Sequence, residues 1–213
     1  MQSKSKIAVV VMAFVLAGCA NTSGTQGDAG QGSIVDVTTG AAISALLFGR
    51  SRGGNTRAGA EVVADYVWSQ RIEDQKRQMQ AATAGTEVQV LKTPDNRLKL
   101  VIPSDSAFDA GDAQIKQNMQ PILDSLAHSL IQNSDAYVTI NGHTDNSNND
   151  VISNPLSFDH AASIRDYLVP QGILPQRINI NGRGSHEPVA DNITAASRAI
   201  NRRVEIYVFN ITP

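Results

Sequence analysis

The chain has 213 residues, enough for one ordinary domain and an additional segment but not for two large domains. Hydrophobic residues make up 41% of the chain and charged residues 18%, a balance that favours a globular core with a polar remainder. The formal net charge of −2 argues against a nucleic-acid partner, which usually requires a strong basic excess. The single cysteine excludes an internal disulfide framework and a zinc site built from cysteines, and we predict no cofactor.

The first residues have the pattern of an export signal. Lys4 and Lys6 precede an unbroken apolar run over residues 7–17, which is shorter than the roughly 20 residues that a membrane-spanning helix needs. The run leads into Leu-Ala-Gly-Cys at residues 16–19, which resembles the bacterial lipobox. The alternative is a secreted protein whose cysteine stands there by chance.

The lipobox resemblance implies a lipid anchor. Residues 1–18 would be a lipoprotein signal peptide, and Cys19 would become the acylated N-terminus, with palmitate among its three acyl chains. Each chain adds about 0.8 kcal/mol per buried CH₂ group, so three chains hold a protein firmly on a membrane. Ala20 follows the cysteine where an aspartate would imply a different destination, so the sorting rule of Gram-negative lipoproteins implies an outer-membrane, periplasm-facing location.

Residues 19–55 are interpreted as a lipid-anchored flexible tether. Gly, Ser, Thr and Gln dominate residues 21–33, a composition typical of flexible linkers. Apolar residues return between Ala41 and Phe48. This short segment is either a helix that lies on lipid or on a neighbour, or a minor element of the core.

A long helix is predicted next, from about Thr56 to Ala84. Apolar residues recur at spacings of three and four, interrupted by Gln75, which indicates one helical face: Ala64, Val67, Trp68, Ile72, Met79 and Ala82. Gly85 ends the pattern. Residues 56–85 are therefore interpreted as a helical spacer that docks on or near the domain that follows.

Residues 86–213 have the pattern of one α+β domain. Alternating apolar residues on both sides of the turn at 93–96 predict a β-hairpin. The remaining predicted elements are a helix from Asp112 to Gln132, a strand over 137–141, a helix from Asn154-Pro155 to Val169, and strands over 177–181 and 203–209. This order predicts a mixed sheet with helices packed on one face.

Several short motifs share this domain in a fixed order. They are Ser-Ala-Phe-Asp at 106–109, Gly-His-Thr-Asp at 142–145, Leu-Ser at 156–157, Gly-Arg-Gly at 182–184, Glu-Pro-Val at 187–189 and Asn-Arg-Arg-Val-Glu-Ile at 201–206. In this order and spacing, residues 86–212 resemble the OmpA-like peptidoglycan-binding domain. The resemblance, together with the lipobox, extends to outer-membrane lipoproteins of the peptidoglycan-associated type.

The resemblance implies a binding cleft for the peptidoglycan stem peptide, mainly for its diaminopimelate residue. That residue carries an ammonium and a carboxylate close together. The family's anion maps onto Asp145, with Phe108, Thr144, Leu156 and His160 around the cleft. The plainer interpretation of Asp145 is that it only caps its own loop.

The family's cation, an arginine four residues after the leucine of Leu-Ser, maps onto His160. Arginine grips a carboxylate with two charged hydrogen bonds, whereas histidine offers one and is mostly neutral at pH 7. Three outcomes follow. Arg165 or Arg183 restores the charge; or Asp145 and Asp159 raise the pKa of His160 until it is protonated; or the domain docks a protein partner instead.

We therefore predict a non-enzymatic outer-membrane lipoprotein that tethers the membrane to the cell wall. The alternative is a scaffold lipoprotein of an envelope complex whose domain has lost diaminopimelate binding. A third hypothesis, a metal-dependent wall hydrolase, rests on His143, His160 and His186, although the sequence contains no recognisable metal motif or nucleophile.

Overall fold

The computed structural model describes residues 56–210, with side chains from Ala64 onward. The helices are α1 (Thr56–Ala82), α2 (Ser104–Ala107), α3 (Gln120–Gln132), α4 (Asp150–Leu168) and α5 (Ala195–Asn201). The strands are β1 (Gln89–Lys92), β2 (Leu98–Pro103), β3 (Ala136–His143), β4 (Ile178–Gly182) and β5 (Arg203–Asn210). Short 3₁₀ turns lie at Gln117–Met119, Val169–Gln171 and Pro175–Arg177.

The five strands form one mixed sheet in the order β1-β2-β5-β3-β4. Only β3 and β4 run parallel, and α4 connects them, as a parallel crossover requires. The last strand, β5, pairs antiparallel with both β2 and β3. The predicted fold class is confirmed: the protein is α+β, with a mixed sheet and packed helices.

Alternation along the strands builds the core. In β2, Leu98, Leu100 and Ile102 are fully buried, while the residues between them are partly exposed. Helix α3 packs its apolar face, which includes Leu123, against the same core. Burying a Leu or Ile side chain contributes about 1.5–3 kcal/mol, so this layer is a main source of the domain's stability.

Helix α1 agrees with the helix predicted over residues 56–84. Its later turns pack against α3 and β1, where Ile72 and Met79 are fully buried. The indole Nε1 of Trp68 donates a 3.0 Å hydrogen bond to the carbonyl oxygen of Asn96 in the β1–β2 turn. Gly85 follows with φ +79°, a left-handed conformation that glycine adopts at little cost. Helix α1 thus docks on the sheet domain.

The prediction that a helix begins at Asp112 is wrong. The Asp112 side chain does accept hydrogen bonds from the next two backbone N–H groups, at 2.7 and 3.1 Å, but no helix follows there. Instead the Lys116 backbone N–H donates to the carbonyl oxygen of Ala107, which holds this segment extended. The helix begins at Gln120, and Pro121 occupies its first turn, a position that proline favours.

The predicted start of the next helix, at Asn154-Pro155, is also wrong. Helix α4 begins at Asp150, and the Asn149 side chain caps it by accepting a hydrogen bond from the Ile152 backbone N–H. Pro155 lies within the helix. The Ala41 to Phe48 segment, like the rest of residues 1–55, lies outside the described residues. Within the described part, no helix is long and apolar enough to cross a membrane.

Helix α4 approaches the sheet as closely as two backbones allow. A Cβ atom on Gly142 would overlap the carbonyl oxygen of Ser157. On neighbouring β4, a Cβ atom on Gly182 would lie 2.8 Å from the Cβ of Phe158. The Ser157 hydroxyl also accepts a 2.9 Å hydrogen bond from the Gly184 backbone N–H. These contacts fix α4 against the end of the sheet.

Replacing Gly142 with alanine should therefore destabilise the protein by about 3 kcal/mol or more, because the added methyl group meets backbone that cannot turn aside. Gly172→Ala is the control. Gly172 has φ +102° and open space around it, so its variant carries only backbone strain, about 1–2 kcal/mol. Guanidinium unfolding of each purified variant measures its loss in free energy of unfolding relative to the parent protein. Equal losses would contradict the close-approach argument.

Candidate functional site

A cavity of about 750 Å³ lies where β3 ends. Its walls come from the loop after β3, the first turns of α4 and the segment that follows α2. Every residue predicted for the binding cleft lines it: Phe108, Thr144, Asp145, Leu156 and His160. These side chains are separated by up to 52 positions in sequence, and the fold brings them to one place.

Asp145 caps its own loop and also lines the cavity. Its Oδ1 accepts a 2.9 Å hydrogen bond from the Ser147 backbone N–H, so the side chain does cap its loop. Its Oδ2 accepts a 2.5 Å hydrogen bond from Nη1 of Arg202. Burial alone would raise the pKa of this carboxyl, but the Ser147 and Arg202 hydrogen bonds outweigh it and lower the pKa. Asp145 is therefore a fixed anion in the cavity wall.

Arg202 is the site residue that the sequence analysis missed. It forms ion pairs with Asp105 and with Asp145. Its Nε and Nη2 donate to the two carboxylate oxygens of Asp105 at 2.9 and 2.6 Å. The hydrogen bonds to Asp105 raise the pKa of Arg202, so it is always charged. It also lines the cavity.

A pairing signal could have found Arg202. Strands β3 and β5 are antiparallel, and His143 at the end of β3 lies opposite Arg203 at the start of β5. A residue immediately before β5 therefore lies beside the loop that follows β3. The sequence contains both motifs, but their adjacency appears only once the strand order is known.

His160 is a neutral, immobilised ring. It stacks on Phe108 with ring centroids 4.1 Å apart and an interplanar angle of 2°. Its Nε2 lies 2.9 Å from the carbonyl oxygen of Asp112. Burial lowers the pKa of His160, and this outweighs the hydrogen bond to Asp112 and the attraction of Asp159. The expected rise in its pKa is wrong, because the ring is only 5% exposed.

The two arginines considered as substitutes do not reach the cavity. Arg165 pairs with Asp166 at 2.7 Å, and Arg183 lies 3.6 Å from Glu187. The cationic side chains that line the cavity are Lys116 and Arg202.

The histidines of the metal hypothesis are dispersed. His143 lines the cavity floor and is 1% exposed, whereas His186 is exposed and lies 3.5 Å from Asp150. Among residues 64–210, neither ring nitrogen of His143 has a hydrogen-bond partner. No group of three His, Cys, Asp or Glu side chains in that part of the chain is arranged to hold a metal ion.

Comparison with known proteins identifies this architecture. The OmpA family model matches residues 107–202. The solved structure of the cell wall anchor of the T6SS from Pseudomonas aeruginosa is 30% identical with a TM-score of 0.53, and the match covers 68% of this chain and 97% of that one. The chain belongs to the OmpA family. All five predicted cleft residues and Arg202 fall within the matched range of the OmpA family domain.

Two curated relatives are similar to about half or more of this chain. The peptidoglycan-binding protein ArfA of Mycobacterium tuberculosis is 47% identical over 102 residues, which is 48% of this chain and 31% of that protein. The probable lipoprotein YiaD of Escherichia coli is 32% identical over 135 residues, 63% of this chain and 61% of that protein. The chain thus spans less than two thirds of the length of both relatives.

The burial of His143 predicts how the stability of this OmpA family domain depends on pH. Burial, followed by the nearby Arg203 charge, lowers the pKa of His143 to about 4. In the unfolded chain this histidine becomes protonated as the pH falls through about 6.5. In the folded protein it stays neutral until the pH approaches about 4. Stability should fall by about 2 kcal/mol from this residue between pH 7 and pH 5. His143→Gln should reduce that slope, and His128→Gln, on the exposed side of α3, should leave it unchanged. Chemical denaturation of each protein at pH 7 and at pH 5 measures how its free energy of unfolding changes with pH. The same change in His143→Gln as in the parent protein would contradict the prediction.

Proposed function

We propose that this protein is a lipoprotein of the outer membrane that binds peptidoglycan non-covalently and tethers the membrane to the cell wall. The observation that carries the proposal is the convergence of the five expected residues, among them the fixed anion Asp145, on one cavity. The name of the ArfA relative, 47% identical over 102 residues, supports peptidoglycan as the ligand. The role is binding, with no catalytic step.

The cavity offers suitable chemistry for a stem peptide. An ammonium group of the peptide would bind Asp145, whose two oxygens each accept one hydrogen bond within the described residues and keep further acceptor capacity. The stacked Phe108 and His160 rings provide a flat surface for the aliphatic part of the diamino acid. Thr144 and Leu156 complete the wall with one polar and one apolar group.

Anchorage is the second half of the proposal. Acylated Cys19 would fix the chain to the membrane, residues 19–55 would act as the flexible tether, and residues 56–85 as the helical spacer. The docking of α1 on the sheet domain supports the spacer role, since Ile72 and Met79 join its core. Residues 86–213 would then meet the wall. The similarity to the probable lipoprotein YiaD supports the lipid anchor.

A scaffold lipoprotein that docks a protein partner is the second candidate. It is favoured by one observation: the cation expected at position 160 is a neutral histidine. Exposed apolar side chains at the cavity rim, Val151 and Ile152, suit a protein contact as well as a sugar chain.

Co-sedimentation with purified peptidoglycan sacculi tests wall binding. The purified protein should pellet at pH 7.5, and Asp145→Asn should weaken binding by about 10- to 150-fold, because a charged hydrogen bond contributes about 1.5–3 kcal/mol. The matched control is Asp135→Asn, which removes the same charge at the opposite end of β3, where Asp135 is exposed. No pelleting by the folded protein would refute the proposal and favour the scaffold role.

Cys19→Ser tests the anchor separately. The protein should incorporate labelled palmitate and fractionate with outer membranes, and the variant should lose both properties, since no other cysteine is present. A circular-dichroism spectrum like that of the parent protein controls for folding. Label incorporation into the serine variant would show that acylation occurs elsewhere.

A further inference from the structure

The neutrality of His160 is built into the fold. A carbonyl oxygen only accepts, so the 2.9 Å contact with Asp112 requires the hydrogen on Nε2. Nδ1 of the neutral ring is then an acceptor, and it has no partner among residues 64–210. Phe108 covers one face of the ring. A second proton on this ring would put a positive charge into a stacked, 5% exposed position.

The two cations of the cavity are already occupied. Arg202 binds Asp105 through two nitrogens and Asp145 through the third. Lys116 Nζ lies 3.1 Å from Oδ1 of Asp109 and 2.9 Å from the carbonyl oxygen of Asp105. Both cations are therefore neutralised by aspartates of the same cavity, and an incoming carboxylate would have to compete with those aspartates for them.

The cavity as a whole is acidic. Four carboxylates line it, against two cations: Asp105, Asp109, Asp145 and Asp159 against Lys116 and Arg202. Asp159 is exposed and, within residues 64–210, forms no ion pair. With both histidines neutral, two negative charges remain in excess. An ammonium group is attracted by this field, and a second carboxylate is repelled by it.

From this balance of charge we propose that the cleft selects a wall peptide whose diamino acid presents an ammonium group without a free side-chain carboxylate. Two chemistries meet this description: a diaminopimelate whose side-chain carboxyl is a carboxamide, and a lysine. The inference rests on the proposed wall-binding function and specifies its ligand. His160 is the specificity-determining residue, with Asp159 beside it.

Isothermal titration of the purified protein with three stem tetrapeptides tests the inference. The peptides differ only at the third residue, which is diaminopimelate, its side-chain carboxamide, or lysine. The carboxamide and lysine peptides should bind at least 10-fold more tightly than the free diaminopimelate peptide. A preference between those two identifies which wall chemistry the site selects.

Charge variants make the test specific. His160→Arg should reverse the preference by adding a permanent cation, and an arginine plane can still stack on Phe108. Asp159→Asn, an exposed change that leaves the core intact, should reduce the discrimination. The matched control is His128→Arg, which adds the same charge on α3, outside the cavity, and should change nothing.

The outcomes separate this inference from the proposed function. Equal affinities, or tighter binding of the free carboxylate, would overturn the inference and leave wall binding standing. Pelleting with sacculi without affinity for any of the three peptides would overturn it too, because other groups would then bind the wall. Failure to bind both sacculi and peptides would refute the proposed function itself.

Discussion

The candidate site depends on one interaction, the bridge that Arg202 makes between Asp105 and Asp145. The three residues belong to separate parts of the chain: Asp105 lies in the short helix α2, Asp145 in the loop after β3, and Arg202 immediately before β5. Sheet pairing brings these parts near one another, and the guanidinium then holds both carboxylates at 2.5–2.9 Å. The bridge therefore fixes the position of Asp145 in the cavity wall. It also fixes Asp105, and Phe108 lies only three residues further along the chain. Removing one partner would leave a charge uncompensated, which is why such networks are sensitive to single substitutions.

The bridge also determines which ligands the cavity suits. Arg202 pairs with two aspartates, so it positions their carboxylates but adds no net positive charge to the cavity. His160 supplies none either, since its ring lies between Phe108 and the carbonyl oxygen of Asp112. A domain of this family can thus keep its fold and its cleft while a single position on α4 changes the net charge of the cleft by one unit.

Local patterns predict the strands and helix α1 well, because alternation and helical spacing are properties of neighbouring residues. Leu98, Leu100 and Ile102 indicated β2 without any knowledge of the rest of the fold. The helix starts at Gln120 and Asp150 were missed because capping residues are common. Asp112 and Asn154 are both good candidates by type, and only a distant contact, such as the Lys116 N–H to Ala107 bond, excludes the first.

The family resemblance brought together the five cleft residues, but it could not predict the state of His160 or the part played by Arg202. Both depend on contacts across the fold. The stacking partner of His160 lies 52 residues away, and the acceptor of its proton lies 48 residues away. Two nearby aspartates suggested a raised pKa, whereas burial, which no local pattern reveals, lowers it.

The close contact between Gly142 and Ser157 has a kinetic consequence. Helix α4 carries one wall of the cavity, and β3 leads into the opposite wall, so two backbones in direct contact leave the cleft little room to open or close. A ligand then enters a preformed shape, without a slow rearrangement before or after the encounter. Among related wall peptides, association rates should therefore be similar, and differences in affinity should lie in how long each peptide stays bound.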